Sequence, residues 1–116
     1  MKSDRPYLLH ILDAIGRIEE YVAEGHTQFM QDVRTQDAVL RNLEVIGEAV
    51  KNLSDGLKSR YPQVAWRRIA GMRDRLIHQY FRVSLGLVWS ASTEHLQGLR
   101  ETVNDALTKL EREPGP

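Results

Sequence analysis

The feature that most limits what this chain can fold into is a helical spacing of apolar residues along almost its whole length. Long segments place apolar residues three or four positions apart, as on one face of an α-helix. The four prolines, at positions 6, 62, 114 and 116, interrupt none of these segments. No stretch alternates strictly between apolar and polar residues, as a half-buried strand would. The pattern therefore predicts an all-α protein.

Four long helices and one short helix are predicted from this spacing. Ser3 or Asp4 can cap the first long helix, Gly25 ends it, and Ser84 can cap the last one. Because the connections are short, we expect an up-and-down helical bundle. The long helices cover about residues 4–24, 35–53, 62–81 and 85–112, the short helix begins at residue 27, and residues 54–63 form a connection.

Length and composition narrow the class of protein further. With 116 residues and no internal repeat, the chain is expected to be one domain over residues 1–116. The absence of cysteine excludes a disulfide scaffold, a thiol nucleophile and a thiolate metal site. Apolar residues are too few and too scattered for a membrane span, and no apolar signal segment follows Met1. A cytoplasmic protein without a membrane partner is therefore expected.

The zero formal charge of the chain hides a segregation of its charged residues. Overall neutrality argues against nucleic-acid binding. Residues 58–82, however, carry seven basic residues and one acidic residue, a net charge of +6, and the remainder carries −6. Six of the seven are arginines, whose forked donors match phosphate oxygens. Aromatic residues that suit stacking on unpaired bases lie among them, namely Tyr61, Trp66, Tyr80 and Phe81. An arginine cluster facing phosphate, or an acidic partner protein, explains this segment better than a solvated helix face.

Arg73, His78 and Tyr80 are the candidate site residues within this basic segment. On an unbroken helix Arg73 and His78 are about 7.5 Å apart along the axis and about 140° apart around it, so they do not touch. An arginine is long enough, however, for both tips to reach one ligand that lies across the helix end. A histidine can shuttle a proton and an arginine can stabilise a phosphorane, which suffices for metal-free RNA cleavage by the 2′-hydroxyl. The pair alone is a weak motif, and a structural role is its alternative. The four scattered histidines show no metal-ligand spacing.

Several segments together resemble one known family. Residues 73–80 read R-x-x-x-x-H-x-Y within GMRDRLIHQYF, and residues 35–53 read TQDAVLRNLEVIGEAVKNL. Tyr61-Pro62 with Trp66, and Val88-Trp89, precede or open the last two long helices. This combination resembles HepT, the toxin of HepT/MntA-type toxin–antitoxin pairs in the HEPN superfamily. The resemblance covers nearly the whole chain.

The resemblance implies a HEPN-like bundle that forms a homodimer, with two motif copies lining one cleft. It implies a metal-independent endoribonuclease that needs no cofactor, in which Arg73 binds the scissile phosphate and His78 transfers the proton. Asp74, an auxiliary residue, occupies a position where the superfamily often has Asn, and its charge beside Arg73 could weaken phosphate binding. Further RNA phosphates are predicted to bind four more arginines of the segment, Arg67, Arg68, Arg75 and Arg82.

Tyr80 matches the tyrosine that the partner antitoxin, a minimal nucleotidyltransferase of the MntA kind, modifies with AMP. A phosphate-bearing group beside Arg73 and His78 would repel RNA and fill the cleft. The resemblance thus implies the toxin of a type VII-like toxin–antitoxin system. The alternative is a non-catalytic HEPN module that binds nucleotide or RNA, or that docks a nucleotidyltransferase. The Arg73/His78 pair favours the enzyme, because a binding module needs no titrating histidine.

Overall fold

The structure is a computed structural model that describes residues 3–78 and 84–112, with the backbone alone for residues 73–78. Over this part of the chain it contains helices and no strand, which confirms the all-α prediction. The helices are α1 (Arg5–Val22), α2 (His26–Gln31), α3 (Val33–Asn52), α4 (Asp55–Arg60), α5 (Trp66–His78), α6 (Leu85–Ser90) and α7 (Leu96–Arg112). A π-helical turn, Ala91–His95, joins α6 to α7.

The long helix α3 lies at the centre of the bundle, between α1 and α5. A helix that packs against two neighbours must bury a broad arc of its surface rather than one narrow stripe. Gly47 is buried within that arc. The buried residues of α3 are Val39, Leu40, Asn42, Leu43, Ile46, Gly47, Ala49 and Val50. The buried face of α3 is therefore wider than the single apolar stripe that the sequence spacing indicated.

Contacts near the helix ends show that α1 is antiparallel to both α3 and α7. The carboxylate of Asp4 accepts hydrogen bonds from the backbone N–H and the hydroxyl of Ser54, both at 2.7 Å. The start of α1 thus lies beside the end of α3. Arg5 of α1 forms an ion pair at 3.8 Å with Glu111, close to the end of α7. The predicted up-and-down order holds for these helices.

The core is filled by the apolar stripes that the sequence predicts. In α1 the fully buried residues are Leu8, Ile11, Ala14, Ile15 and Ile18. Trp66 is buried, and Trp89 is partly buried with its ring centroid 5.4 Å from that of Phe29. Both tryptophans therefore pack in or against the core.

One segment differs from its prediction. Residues 54–63, expected to be a plain connection, contain the short helix α4, whose cap is the Ser54 hydroxyl accepting from the N–H of Leu57 at 3.2 Å. The buried side chain of Leu57 holds this helix against the core. Gly56 and Pro62 gave the segment the composition of a turn, which concealed one buried leucine. As a result α5 begins at Trp66, four residues later than expected.

Two caps also bear on the predictions. The hydroxyl of Ser84 accepts from the N–H of Leu87 at 3.4 Å, which confirms Ser84 as the cap of the last helix. Asp4 occupies the cap position of α1 but makes no side-chain cap bond, because its carboxylate binds Ser54 instead. The hydroxyl of Ser3 accepts from the N–H of Arg5 at 3.2 Å.

The π-helical turn has an identifiable local cause. The hydroxyl of Ser92 donates to the carbonyl of Val88, and that of Thr93 donates to the carbonyl of Trp89, both at 2.8 Å. Hydroxyls bonded four residues back compete with backbone N–H groups for those carbonyls, which favours a locally widened helix. The predicted last helix is therefore continuous over residues 85–112 but is not α-helical throughout.

None of the helices in residues 3–78 and 84–112 is both long enough and apolar enough to cross a lipid bilayer.

Replacing Phe29 by Ala should lower the free energy of unfolding by about 3–5 kcal/mol, because Phe29 is fully buried and its removal leaves a cavity beside Trp89. Met30→Ala, at the next and exposed position, is the control and should cost less than about 1 kcal/mol. Urea unfolding followed by circular dichroism measures both values. Equal losses in the two variants would show that α2 is not anchored by the Phe29 ring.

Candidate active site

Helix α5 carries the predicted motif, and its packing on α3 fixes where the motif backbone lies. Trp66 is buried, and Ile69 and Ala70 are partly buried against the core. Arg73 is four residues beyond Ile69 and hence on the same side of the helix. The backbones of Arg73 and His78 are both α-helical, and their side chains lie outside the described part of the chain. The predicted helical spacing of this pair is confirmed.

Four further predicted residues fall in or just after this part of α5. Asp74 and Arg75 have helical backbones, and their side chains also lie outside the described part of the chain. Tyr80 and Arg82 lie outside the described residues altogether. The roles assigned to these four residues stay predictions.

Arg67 and Arg68 are the predicted phosphate-binding residues whose side chains are described. Both lie in the first turn of α5 and both are exposed. Neither forms a hydrogen bond or ion pair with another described side chain. Their guanidinium groups therefore have free donors for an anionic ligand.

The start of α5 is tied to α7 by a polar cluster. The hydroxyl of Tyr61 donates to the carboxylate of Asp105 at 2.7 Å, and Lys109 pairs with the same carboxylate oxygen at 3.0 Å. The Lys109 ammonium also lies 5.5 Å from the centre of the Tyr61 ring. On the other side, the indole N–H of Trp66 donates to the carbonyl of Tyr61 at 3.0 Å. Tyr61 thus links the first residue of the motif helix to the end of α7.

This cluster contradicts one prediction for Tyr61. The sequence suggested an aromatic ring available for stacking on unpaired bases, but the residue is buried and its hydroxyl is engaged with Asp105. A tyrosine beside an arginine-rich segment looks the same in sequence whether its ring packs inward or outward. Trp66, from the same group of aromatic residues, is buried as well.

The Tyr61 cluster also shifts the acid–base behaviour of its members. The hydrogen bond from Tyr61, with the one from Lys109, holds the pKa of the Asp105 carboxyl below its ordinary value of 3.8. Burial raises the pKa of the Tyr61 hydroxyl above its ordinary value of 10.0, and the bond to Asp105 acts in the same direction. The cluster is therefore most favourable when Asp105 is ionised and Tyr61 is protonated.

A groove of about 730 Å³ runs between α5 and the α6–α7 helix. It forms because α5 packs mainly on α3, whereas α7 packs mainly on α1. Leu43 of α3 lies at its floor, and Met72, directly before Arg73, lines its α5 wall. The opposite wall includes Leu87, which is 72% exposed. The groove therefore extends alongside the motif helix.

Of the described polar residues that line the groove, the sequence pointed to Arg68 alone as a binding residue. Among these residues Arg68 and His95 are ionisable, and Gln63, Ser90 and Thr102 supply neutral polar groups. His95, to which the sequence assigned no role, is exposed. No sequence signal marks the other positions, because they come from α6, the π-helical turn, α7 and the segment before α5.

The remaining candidates are structural or exposed. Asn42, which could have lined a cleft, is buried and donates to the carbonyl of Ala38 at 2.9 Å. Glu48 is exposed. His10 and His26 are exposed, and the His26 ring contacts that of Trp89 edge to face at 5.2 Å. Among the described residues, no group of three or more His, Asp or Glu side chains is arranged to hold a metal ion.

Comparison with known proteins settles the family. The model of the family described as "Ribonuclease HepT-like" matches residues 11–106, which extend from within α1 to within α7 and include the motif. The chain belongs to this family. The resemblance to HepT that the motif indicated is thereby confirmed.

Curated relatives named as ribonucleases match most of the chain. A protein of Caldanaerobacter subterraneus subsp. tengcongensis, named "Putative RNase", is 40% identical over 110 residues, covering 94% of this chain and 98% of its own. A protein of Thermococcus cleftensis, named "Probable ribonuclease HepT", is 42% identical over 100 residues, covering 85% and 91%. A "Putative RNase" of Methanocaldococcus jannaschii is 35% identical over 113 residues, covering 97% and 93%. No solved structure matches the chain.

Replacing Tyr61 by Phe should make the free energy of unfolding less dependent on pH in acid. A carboxyl whose pKa is lowered on folding stabilises the folded state above its unfolded pKa of about 3.9, and this contribution disappears as the pH falls through the lower, folded pKa. Tyr61→Phe removes the largest cause of the lowered Asp105 pKa, so its unfolding free energy should fall less steeply below about pH 4.

Urea unfolding between about pH 2.5 and pH 6 tests this expectation. Tyr21→Phe removes the same hydroxyl from a partly exposed residue of α1 and should leave the acid slope of the parent unchanged. An acid slope in Tyr61→Phe equal to that of the parent would contradict the role given to this hydrogen bond.

Proposed function

We propose that this protein is a metal-independent endoribonuclease whose reaction centre is built on α5. The observation that carries the proposal is the helical backbone of Arg73 and His78, in a HepT-like chain whose motif helix has in its first turn two exposed arginines that pair with no other described side chain. Arg67 and Arg68 would hold the flanking phosphates of the RNA strand. The names of the relatives as ribonucleases support the reaction class.

The proposed reaction uses the RNA's own 2′-hydroxyl as nucleophile. As its oxygen attacks the adjacent phosphorus, its proton passes to a histidine, and the bond to the 5′-oxygen of the next nucleotide breaks. The leaving 5′-oxygen takes up a proton, which gives a 2′,3′-cyclic phosphate and a free 5′-hydroxyl. Arg73 stabilises the charge of the phosphorane, and His78 performs the proton transfer.

We further propose that the active form is a homodimer. Cleavage moves two protons, one off the 2′-hydroxyl and one onto the leaving oxygen, whereas each α5 supplies one motif histidine. Two copies facing one cleft supply a base and an acid together. They would also place two basic helices opposite each other, so that a bound polyanion relieves their repulsion.

The regulatory part of the proposal concerns Tyr80. The protein acts as the toxin of a HepT/MntA-type pair, and a minimal nucleotidyltransferase transfers AMP to the Tyr80 hydroxyl. Tyr80 lies two residues after His78, so the added phosphate would stand close to the cationic groups that bind RNA and would compete for them. The second candidate function is a non-catalytic module that binds RNA or docks the nucleotidyltransferase.

His78→Ala should reduce RNA cleavage by about 10²–10⁴-fold, the usual contribution of a general acid or base. Cleavage of a fluorophore-labelled RNA by the purified protein, with a chelator present throughout, measures the rate. His10→Ala is the matched control, since His10 is an exposed histidine on α1, and it should cleave at the rate of the parent.

Two results would contradict the proposal. Full activity of His78→Ala would remove the catalytic role of that residue, and loss of the parent's activity on adding chelator would remove the metal-free mechanism. RNA binding without cleavage by the parent protein would favour the non-catalytic module.

Co-expression with a cognate nucleotidyltransferase should add adenylyl groups to Tyr80, detected by mass spectrometry of the intact protein and its peptides. Tyr80→Phe should remain unmodified, and Tyr21→Phe should be modified as the parent is. Inhibition of RNA cleavage without any modification of Tyr80 would reject this route of control.

A further inference from the structure

The groove beside the motif helix has the dimensions of a small-ligand site. Its volume of about 730 Å³ lies within the range of about 300–1,000 Å³ usual for pockets that hold small molecules or cofactors. Its apolar surface comes from all sides: Val64, Ile69 and Met72 on the α5 side, Leu87 on α6 and Leu99 on α7. A flat, planar ring system can bury both faces in such a groove.

The ionisable residues described along the groove are all basic. Its sixteen described lining residues include Arg68 and His95 and no Asp or Glu, although the whole chain contains sixteen acidic residues. Arg68 is exposed and unpaired among the described side chains. The groove therefore complements a ligand that is apolar and planar at one end and anionic at the other.

Neutral polar groups inside the groove add hydrogen-bonding capacity. Thr102 is buried, and its hydroxyl has no hydrogen-bond partner among the described residues, unlike those of Ser92 and Thr93, which bond to carbonyls four residues back. Gln63 and Ser90 line the same space. Donors and acceptors of this kind can pair with the edge of a nucleobase.

The π-helical turn bears on the same site. Ala91 and His95, its first and last residues, both line the groove. Widened helical turns of this type occur frequently at functional sites. Here the turn brings an imidazole ring, which can stack on a base, to the wall that faces Arg68.

We infer that this groove binds one nucleotide of the single-stranded RNA substrate, with its base between the apolar walls and its phosphate on Arg68. The inference rests on the ribonuclease function proposed above and extends it, because a base held beside the motif would select which phosphodiester is cut. A second copy of this chain fits the groove itself less well: the homodimer proposed above leaves a polyanion between its basic helices, whereas an isologous contact through the groove would press Arg68 and His95 of both copies together with no anion between them. It would also need about 800 Å² from each partner, more than one ligand-sized groove offers.

Gly98→Leu is the sharpest test of this site. Gly98 lines the groove in α7, and a Cβ added there meets no atom within 4 Å, so the leucine side chain can occupy the groove without displacing the fold. Gly16→Leu is the matched control: Gly16 lies inside α1, away from the groove, and its added Cβ also meets no atom within 4 Å. Replacing glycine inside a helix should leave both variants folded.

Isothermal titration calorimetry with uridine 5′-monophosphate and adenosine 5′-monophosphate measures the binding, and ribose 5-phosphate and inorganic phosphate report what the anion alone contributes. The parent should bind at least one nucleotide about fivefold more tightly than ribose 5-phosphate, since stacking a base contributes at this level. Gly98→Leu should weaken that nucleotide at least about tenfold, and Gly16→Leu should bind as the parent does.

The phosphate contact is tested separately. Arg68→Gln should weaken nucleotide and ribose 5-phosphate alike by about tenfold, because it removes a charge-assisted contact from both. Arg17→Gln, which removes the charge of an exposed arginine on α1, is its control and should change neither.

Three outcomes would overturn the inference: equal binding of nucleotide and ribose 5-phosphate, unchanged nucleotide binding in Gly98→Leu, or a change of oligomeric state in Gly98→Leu by sedimentation velocity. The last would assign the groove to a second copy of the chain. Nucleotide binding that needs the groove, in a protein that cleaves no RNA, would refute the ribonuclease and leave this site standing. RNA cleavage that Gly98→Leu does not alter would refute this site and leave the ribonuclease standing.

Discussion

The two-sided burial of α3 is the constraint on which the rest of the molecule depends. Because α3 packs against α1 on one side and α5 on the other, it holds the motif helix at a distance from α1. Helix α7 packs mainly against α1. Helices α5 and α7 therefore cannot pack against each other along their whole length. The groove is the direct result. Tyr61 then fixes how far apart the two helices stand where α5 begins, through its bond to Asp105 of α7.

The charged residues are segregated along the same helices. The acidic excess lies outside residues 58–82, and the basic excess is concentrated in α5 and the residues around it. In the first turn of α5 the arginines are exposed, whereas the aromatic residues near them face inward. The interior aromatics thus stabilise the helix, and the cationic groups beside them stay available to phosphate. The zero net charge of the whole chain therefore does not describe the electrostatic potential that an RNA strand would meet at α5.

The sequence predicted the helices well because apolar spacing reports which face of a helix is buried. It predicted that the long helices bury an apolar face, as α1 does, and it predicted the Ser84 cap. It failed for α4, where one buried leucine outweighs a turn-like composition, and for Tyr61, whose partner is 44 residues away. The groove could not be predicted, because it depends on the angle between helices whose residues are distant in sequence.

The π-helical turn has a further consequence for the last helix. Leu85, Trp89, Ser92, Leu96 and Leu99 follow one another at spacings of three and four, so on a plain α-helix they would form a single straight stripe. A π turn winds less per residue than an α turn, so the stripe after it is rotated about the axis relative to the stripe before it. The α6 half therefore meets α2 and α3, and the α7 half meets α1. One uninterrupted sequence pattern therefore contacts two different sets of neighbouring helices, because the helix winds less per residue across the π-helical turn.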